Sequence, residues 1–269
     1  MNFSVLMSLY DMENPDNLHK SLSSLYAQTL NPSEIVLVYD GPIRKELQEV
    51  VNSFLEKFEN LKVILLNQNV GLGKALNHGL AYCSYDIVAR MDTDDICYPD
   101  RFEKQITYLR QNVEISVLGA AVQEFKNEPG DLKRFRKLPS NTEQIKRFAQ
   151  FRNPLNHPSV VFKKSHVIAA GSYQDMPLFE DFYLWIRLIQ SGYRITNLSE
   201  PLLHFRIGNN MIGRRHGLGY FRKELTFLKA ARTLNFITNF QFLISIALKL
   251  PLRLMPKKFL ELVYKFLLR

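Results

Sequence analysis

The fold expected for this chain depends most on the segment Ala89-Arg90-Met91-Asp92-Thr93-Asp94-Asp95-Ile96. The apolar run at 87–91 is typical of a buried strand, and three carboxylates follow it. Asp92 and Asp94 alternate along an extended backbone and so point the same way, which would let both bind Mg²⁺ or Mn²⁺ through oxygen. The alternative is a solvated turn or a helix start, where acids form local hydrogen bonds. The neighbouring segments must decide between a metal site and a turn.

Those neighbours repeat a rhythm of strand and helix. Apolar runs occur at 3–9, 35–39, 63–66 and 87–91, and amphipathic stretches at 16–27, 43–58 and 74–83. Strands joined by helices of this length predict an α/β fold with a mostly parallel central sheet that helices cover on both faces. Ligands of such folds bind at the carboxyl ends of the strands.

Beyond residue 99 the pattern is mixed. Strands are expected at 115–122, 159–162 and 202–207, and helices at 100–111, 142–151, 179–190, 220–231, 236–250 and 257–268. With 269 residues, 46% of them hydrophobic, the chain can bury one large core.

Cys83 and Cys97 are too few for a disulfide framework or a zinc site, and Met1 leads into an apolar strand without a secretory signal. A reducing cytoplasm is the expected setting.

The positive charge is concentrated at one end of the chain. Residues 204–269 carry 13 lysines and arginines against Glu224 and Glu261, whereas the whole chain has a net charge of +9. These cations, Lys249 and Arg253 among them, lie between Phe, Leu and Ile at helical spacing, which favours an anionic membrane surface over nucleic acid. The apolar stretch at 236–250 is too short and too polar for a membrane span, and a helical cap on the core is the alternative.

Two further motifs follow predicted strands. Asp40, before Gly41-Pro42, could accept a hydrogen bond from a nucleobase or a ribose hydroxyl, or could belong to a plain turn. In the stretch 69–77, Gly71, Gly73 and Lys74 open a helix whose N–H groups and cation could face phosphates. The spacing is not that of a Walker loop, and no glycine fingerprint follows the first strand, which argues against an NTPase and an NAD enzyme.

A later motif begins an otherwise apolar helix with two acids. Glu180 and Asp181 suit a helix N-terminus in any protein, but Asp181 could also act as a general base with Trp185 near its substrate. His157 precedes a predicted strand, and it either contacts a substrate or holds its loop.

Taken together, these motifs resemble the family 2 glycosyltransferases, which have the GT-A fold. The resemblance covers about the first 210 residues and is carried by Ser4-Val5-Leu6-Met7-Ser8, Tyr39-Asp40-Gly41, Asn69-Val70-Gly71-Leu72-Gly73-Lys74-Ala75-Leu76-Asn77, Asp92-Thr93-Asp94-Asp95, Pro99-Asp100-Arg101-Phe102, Glu180-Asp181 and Leu184-Trp185. It implies an inverting transfer from a UDP-linked sugar, with Mn²⁺ or Mg²⁺ on the diphosphate.

The resemblance also implies roles for individual residues. Asp181 would be the catalytic base, and the metal ligands would come from Asp92, Asp94 and Asp95, with the choice among them open. The nucleotide-sugar site would contain Asp40, Gly71, Lys74, Asp92 and Asp94, and the acceptor site His157, Glu180 and Trp185. Apart from the resemblance, Arg206 could neutralise the donor's diphosphate in the nucleotide-sugar site or could equally contact lipid phosphates. Relatives often carry a late histidine where this chain has Asn209 and Asn210, so a histidine metal ligand is not expected.

We therefore expect a GT-A domain at 1–210, with a nucleotide-sugar half at about 1–110 and an acceptor half at about 111–210. A basic amphipathic helical extension is expected at 211–269. The expected reaction moves a hexose or N-acetylhexosamine to a hydroxyl of an undecaprenyl-diphosphate-linked saccharide, forming a β-bond in O-antigen or exopolysaccharide. The protein would be cytoplasmic and peripheral on the inner face of the cell membrane, without nucleic acid as a partner. The alternative is a non-catalytic GT-A-like protein that binds sugar nucleotide or membrane.

Overall fold

A nine-stranded β-sheet forms the centre of the protein, which we describe from a computed structural model over residues 1–208 and 215–256. The strands are β1 (Ser4–Leu9), β2 (Glu34–Tyr39), β3 (Leu61–Leu65), β4 (Ile87–Arg90), β5 (Ile96–Cys97), β6 (Ile115–Phe125), β7 (Arg134–Arg136), β8 (Val161–Lys163) and β9 (Arg194–Arg206). Their order in the sheet is β3-β2-β1-β4-β8-β6-β9-β5, with β7 paired to β6.

Helices flank this sheet. Within the same described ranges they are α1 (Pro15–Tyr26), α2 (Lys45–Leu55), α3 (Leu72–Tyr82), α4 (Arg101–Gln111), α5 (Thr142–Ala149), α6 (Lys164–Ala169), α7 (Glu180–Gln190), α8 (Gly217–Thr233) and α9 (Asn239–Leu254). The sequence pattern missed the short α6 and placed the other helices within a few residues of their bounds. The helix predicted at 257–268 lies outside the described residues.

The first half of the sheet has the predicted parallel arrangement, since β3, β2, β1 and β4 all pair in parallel. Side chains of β1 alternate between two core layers, with Val5 and Met7 in one and Leu6 in the other. Helix α3 packs so closely on the core layer of Leu6 that a Cβ atom at Gly79 would lie 2.5 Å from Leu6 Cδ1 and 2.6 Å from Val38 Cγ2. The α/β fold class is confirmed.

The second half of the sheet is mixed. Strand β8 joins β4 and β6 through antiparallel pairs, and the long β6 and β9 run parallel. Strand β9 begins at Arg194, eight residues before the expected strand at 202–207, and the two-residue β5 pairs with its far end at Ile96 and His204. This pairing brings the end of β9 beside the segment that follows β4. The sequence pattern missed β5 because two residues carry no periodicity.

The last described helices pack against α7. Phe182 and Ile186 of α7 share one apolar cluster with Phe227 of α8 and Phe242 of α9. One face of each of helices α8 and α9 therefore packs on the core through α7. In residues 1–208 and 215–256, no helix combines the length and the apolar character needed to cross a bilayer.

The inward face of α9 corrects one expectation about charge. Arg253 donates to buried Glu224 of α8, with Nε 2.8 Å from Oε2 and Nη2 3.1 Å from Oε1. Lys249 Nζ lies 3.1 Å from the same carboxylate. Both cations were expected among the membrane-facing charges, but they turn inward because Glu224, 2% exposed, needs compensation for its burial.

Candidate active site

Three carboxylates meet where β4 ends. One ligand atom from each of Asp92, Asp94 and Asp95 lies within 4.8 Å of the other two. Helix α1 and the loop before it hold this segment, because Ser21 Oγ donates to the Asp92 carbonyl at 2.9 Å and Thr93 Oγ1 donates to a Glu13 carboxylate at 3.0 Å. The acid segment, residues 92–95, is thus held in place by contacts distant in sequence.

Burial and mutual repulsion raise the pKa values of two carboxyl groups of the acid segment. Burial and then the charge of Asp92 raise the pKa of Asp94 to about 7, and burial and then Asp94 raise the pKa of Asp95 well above its usual value. Asp95 Oδ1 accepts the Arg206 N–H at 2.7 Å, whereas its buried Oδ2 has no hydrogen-bond partner within the described residues. Three close carboxylates, with the buried Asp95 Oδ2 lacking a hydrogen bond among the described residues, are a suitable set of oxygen ligands for a divalent cation.

A smaller cavity of about 390 Å³ opens beside the acid segment. Of the residues expected to bind the nucleotide sugar, five line it: Asp40, Gly71, Asp92, Asp94 and Arg206. Sequence analysis did not assign Ser8, Tyr10 and Glu13, which also line it from the end of β1 and the loop beyond. Their position after a first strand was the available signal, since ligands collect at such ends.

Asp40 fixes the loop that forms one wall of the smaller cavity. Its Oδ1 accepts the Val70 N–H at 2.7 Å and its Oδ2 accepts the Gly71 N–H at 3.1 Å. The turn after β2 requires glycine, because Gly41 has φ +91° and a Cβ atom there would lie 2.6 Å from Asn69 N. Asp40 thereby connects the end of β2 to the start of α3 while remaining in the cavity wall.

Arg206 and Lys74 have different surroundings. Arg206 Nε donates to the Asp94 carbonyl at 2.9 Å, and its buried Nη2 has no hydrogen-bond partner in the part of the chain that the structure describes. That nitrogen is available for an anion. Lys74, by contrast, pairs with Asp175 at 3.2 Å, is 56% exposed and lines neither described cavity. The structure does not bring Lys74 to the acid segment.

A larger cavity of about 620 Å³ lies on the other side of Asp92 and reaches helices α5, α7 and α9. Asp92 and Phe205 line both cavities, which therefore adjoin at these two side chains. Asp181, at the start of α7, faces the larger cavity, and its Oδ2 accepts from Asn153 Nδ2 at 2.7 Å. Burial raises the pKa of Asp181, and the Asn153 hydrogen bond opposes that rise.

The three residues expected to bind an acceptor take different positions. His157 lines the larger cavity, and its Nε2 lies 2.9 Å from the Tyr173 hydroxyl; burial lowers the pKa of His157 well below its usual value. Trp185 is completely buried and lines neither cavity, but its ring supports that of His157 at 6.0 Å between centroids. Glu180 also lies outside both cavity walls and packs against Gly73. Of these three residues, only His157 lines the larger cavity, and a role in acceptor binding for Trp185 and Glu180 stays a prediction.

Arg90 is a further functional candidate that sequence analysis missed. Its side chain is 1% exposed and forms an ion pair with Asp92. Its charge lowers the pKa of Asp181 and of His157, although burial dominates at both sites. The signal was an arginine within the apolar run 87–91, because a buried strand carries a charge only where a partner compensates it. Residues 209–214, including Asn209 and Asn210, lie outside the described residues.

The chain is similar to proteins of known family. The model described as "Glycosyl transferase family 2" matches residues 4–219. The "Amylovoran biosynthesis glycosyltransferase AmsE" of Erwinia amylovora is 43% identical, over 98% of this chain and 98% of its own. An Escherichia coli protein named "UDP-Gal:alpha-D-GlcNAc-diphosphoundecaprenol beta-1,3-galactosyltransferase" is 34% identical, over 99% of this chain and 96% of its own.

A solved structure shares the fold. S. aureus TarS 1–349 in complex with UDP-GlcNAc superposes with a TM-score of 0.67 at 18% identity, covering 86% of this chain and 66% of that one. At this identity the likeness concerns the fold alone. It confirms the GT-A architecture that the motifs implied.

Proposed function

The chain belongs to glycosyltransferase family 2, and from this premise we propose that it is an inverting enzyme with a UDP-sugar donor and a lipid-linked saccharide acceptor. It would move a hexose or N-acetylhexosamine to an acceptor hydroxyl. The observation that carries the proposal is the meeting of the two cavities at Asp92 and Phe205, with the acid segment on one side and Asp181 on the other. A donor and an acceptor in adjacent cavities would present their reacting atoms to each other.

The smaller cavity suits the donor. Asp40 can accept from the uracil N–H or a ribose hydroxyl, and Tyr10 supplies an aromatic surface at the same opening. Arg206 brings a cation with an unused buried nitrogen toward the diphosphate. Asp92, Asp94 and Asp95 would hold Mn²⁺ or Mg²⁺, which when bound neutralises charge on the leaving diphosphate.

The larger cavity suits the acceptor and the base. Asp181 would remove the proton from the acceptor hydroxyl, while the Asn153 hydrogen bond fixes the orientation of its carboxylate. The acceptor oxygen then attacks the anomeric carbon as the bond to UDP breaks, so an α-linked donor gives a β-linked product. His157, uncharged because of its burial, would donate or accept one hydrogen bond to the sugar.

The names of two relatives support the proposed class of acceptor. One relative is named for a diphosphoundecaprenol substrate and another for amylovoran biosynthesis, so we place this chain in O-antigen or exopolysaccharide assembly. Because one relative is named for UDP-Gal, UDP-Gal is the first donor to test.

A membrane partner is supported by the outward face of α9. Phe240, Leu243 and Leu254 are at least half exposed along that face. Helix α8 contacts α9 and carries four exposed cations: Arg222, Lys223, Lys229 and Arg232. An apolar face on one helix and exposed lysines and arginines on its neighbour suit an anionic bilayer surface, and we propose peripheral attachment to the inner face of the cell membrane.

The test is UDP release from UDP-Gal, UDP-Glc, UDP-GlcNAc and UDP-GalNAc, with a synthetic lipid-diphosphate GlcNAc or GalNAc as acceptor. We expect acceptor-dependent release from one donor, lost on addition of EDTA and restored by Mn²⁺ or Mg²⁺. UDP binding without release from any pair would instead favour a non-catalytic GT-A-like protein.

A further inference from the structure

The larger cavity carries several cations that the transfer chemistry does not use. Arg136, Arg152, Arg215 and Lys249 line it together with Arg253. We propose that the first four form a subsite for the acceptor's own diphosphate, separate from the site for the donor's diphosphate. The proposal rests on the proposed function, because it assigns a position to one part of a lipid-linked acceptor.

The charges of the cavity wall favour an anion. Its five cations face three carboxylates: Asp92, Asp181 and Glu224. Asp92 is paired with Arg90 from outside the cavity, and Glu224 is compensated by Arg253 and Lys249. Cations therefore outnumber carboxylates among the residues that line this wall, and arginines suit a diphosphate because each can donate two parallel hydrogen bonds to phosphate oxygens.

Helix α9 contributes a polar group without a partner. Residues at helical spacing face the cavity from α9: Ser245, Leu248, Lys249, Leu252 and Arg253. Ser245 is 1% exposed, and its Oγ has no hydrogen-bond partner among residues 1–208 and 215–256. A buried hydroxyl in a cavity wall normally has a partner, so this atom is a second, independent indication of a polar ligand.

The surroundings match a molecule with three chemically different parts. Asp181 and His157 supply the polar end of the cavity, and Phe148, Leu178 and Leu252 supply apolar wall. Helix α9 carries cations on its cavity side and apolar side chains on its outer side. A sugar, a diphosphate and a prenyl chain in one molecule would contact these three surfaces. The donor's diphosphate would have its own partners, since Arg206, Asp92 and Asp94 line the smaller cavity.

Calorimetric binding to the intact protein tests the subsite without glycosyl transfer. The probes are farnesyl diphosphate and farnesol, each with and without saturating UDP. The variants are Arg152→Gln and Arg136→Gln, and the matched control is Arg147→Gln, which is exposed on α5 and lines neither cavity. We expect each of the two variants to bind farnesyl diphosphate roughly tenfold more weakly and the control to bind as the wild type does.

Three results would overturn the subsite. The first is equal affinity of the wild type for farnesol and farnesyl diphosphate, the second is displacement of farnesyl diphosphate by UDP, and the third is unchanged affinity in both arginine variants. Arg152-dependent binding in a protein that releases no UDP from any donor would retain the subsite and reject the proposed reaction. If the wild type and Arg152→Gln transfer sugar to a lipid-diphosphate acceptor with the same KM, the proposed reaction would be retained and the subsite rejected.

Discussion

Arg90 and Asp92 form an ion pair in which the guanidinium is buried and the carboxylate lines both cavities. Side-chain exposure is 1% for Arg90 and 32% for Asp92. Burial alone would lower the pKa of Arg90, but the charge of Asp92 opposes this and the pKa is raised. A permanent cation therefore lies behind the acid segment, and its charge also reaches Asp181.

Replacing this cation should affect both folding and catalysis. Arg90→Met leaves the partly exposed Asp92 without its partner, and we expect the free energy of unfolding to fall by about 1–3 kcal/mol. Because Arg90 lowers the pKa of Asp181, the acid limb of the kcat/KM profile should move to higher pH. Urea unfolding and pH–rate profiles measure the two effects. Arg90→Lys should restore part of the lost stability and part of the shift in the acid limb. An acid limb that does not move in Arg90→Met would show that Arg90 does not influence the pKa of Asp181.

Asp181→Asn should abolish transfer without loss of donor binding. The amide cannot take the acceptor proton, so kcat should fall at least ~100-fold. UDP affinity should stay within about twofold, because Asp181 lines the larger cavity and not the smaller one. Rate measurements and UDP calorimetry check the two statements. Wild-type turnover in this variant would remove Asp181 from the reaction.

Divalent metal should stabilise the folded protein. If the acid segment binds Mn²⁺ or Mg²⁺, metal at 100 times its dissociation constant adds about 2.7 kcal/mol to the free energy of unfolding. Thermal melts with metal and with EDTA should then differ for the wild type and coincide for Asp94→Asn. Asp175→Asn, exposed and paired with Lys74, is the control that should keep the wild-type response. A metal-induced shift that persists in Asp94→Asn would place the ion elsewhere.

The pH dependence of stability should report on Glu180. Burial and then the charge of Asp181 raise the pKa of Glu180 from 4.5 to about 7. The folded protein thus holds this proton more tightly than the unfolded chain, so the free energy of unfolding falls as pH rises from about 4.5 to about 7. Glu180→Gln lacks this loss. The free energy of unfolding of the variant, relative to that of the wild type, should therefore be about 1–3 kcal/mol higher at pH 8 than at pH 5. Urea unfolding at both pH values measures it, and the exposed Glu143→Gln should behave as the wild type does.

Membrane attachment should depend on the outer face of α9. Phe240 and Leu243 are 71% and 62% exposed, so Phe240→Glu combined with Leu243→Glu leaves the core intact while opposing insertion. We expect at least roughly tenfold weaker flotation with anionic vesicles. Val113→Glu, at a site that is 70% exposed and away from α9, should float as the wild type does. Equal flotation of all three proteins would exclude α9 as the contact.

Local patterns in the sequence predicted much of the fold. The parallel strands at 35–39 and 87–91 and the acids beyond them were found because periodicity and adjacency are properties of a few consecutive residues. Asp40, Asp92 and Asp94 could be expected at one edge for the same reason, since parallel strands place their carboxyl ends together. Strand β5 was not found because two residues carry no periodicity, and the first half of β9 was not found because Thr196, Asn197, Ser199 and Glu200 interrupt any apolar run there.

The sequence by itself determined that apolar strands alternate with helices and that carboxylates follow the strand ends, because those features are local. Only the tertiary structure decided which side chains face the cavities. Lys249 and Arg253 turn inward because Glu224, one helix earlier, is buried and needs their charge. Helix α9 is apolar around most of its circumference, so its hydrophobic pattern could not select the inner face. Trp185 is buried behind His157, and Arg90 lies beneath Asp92, because residues distant in the chain close the space around them.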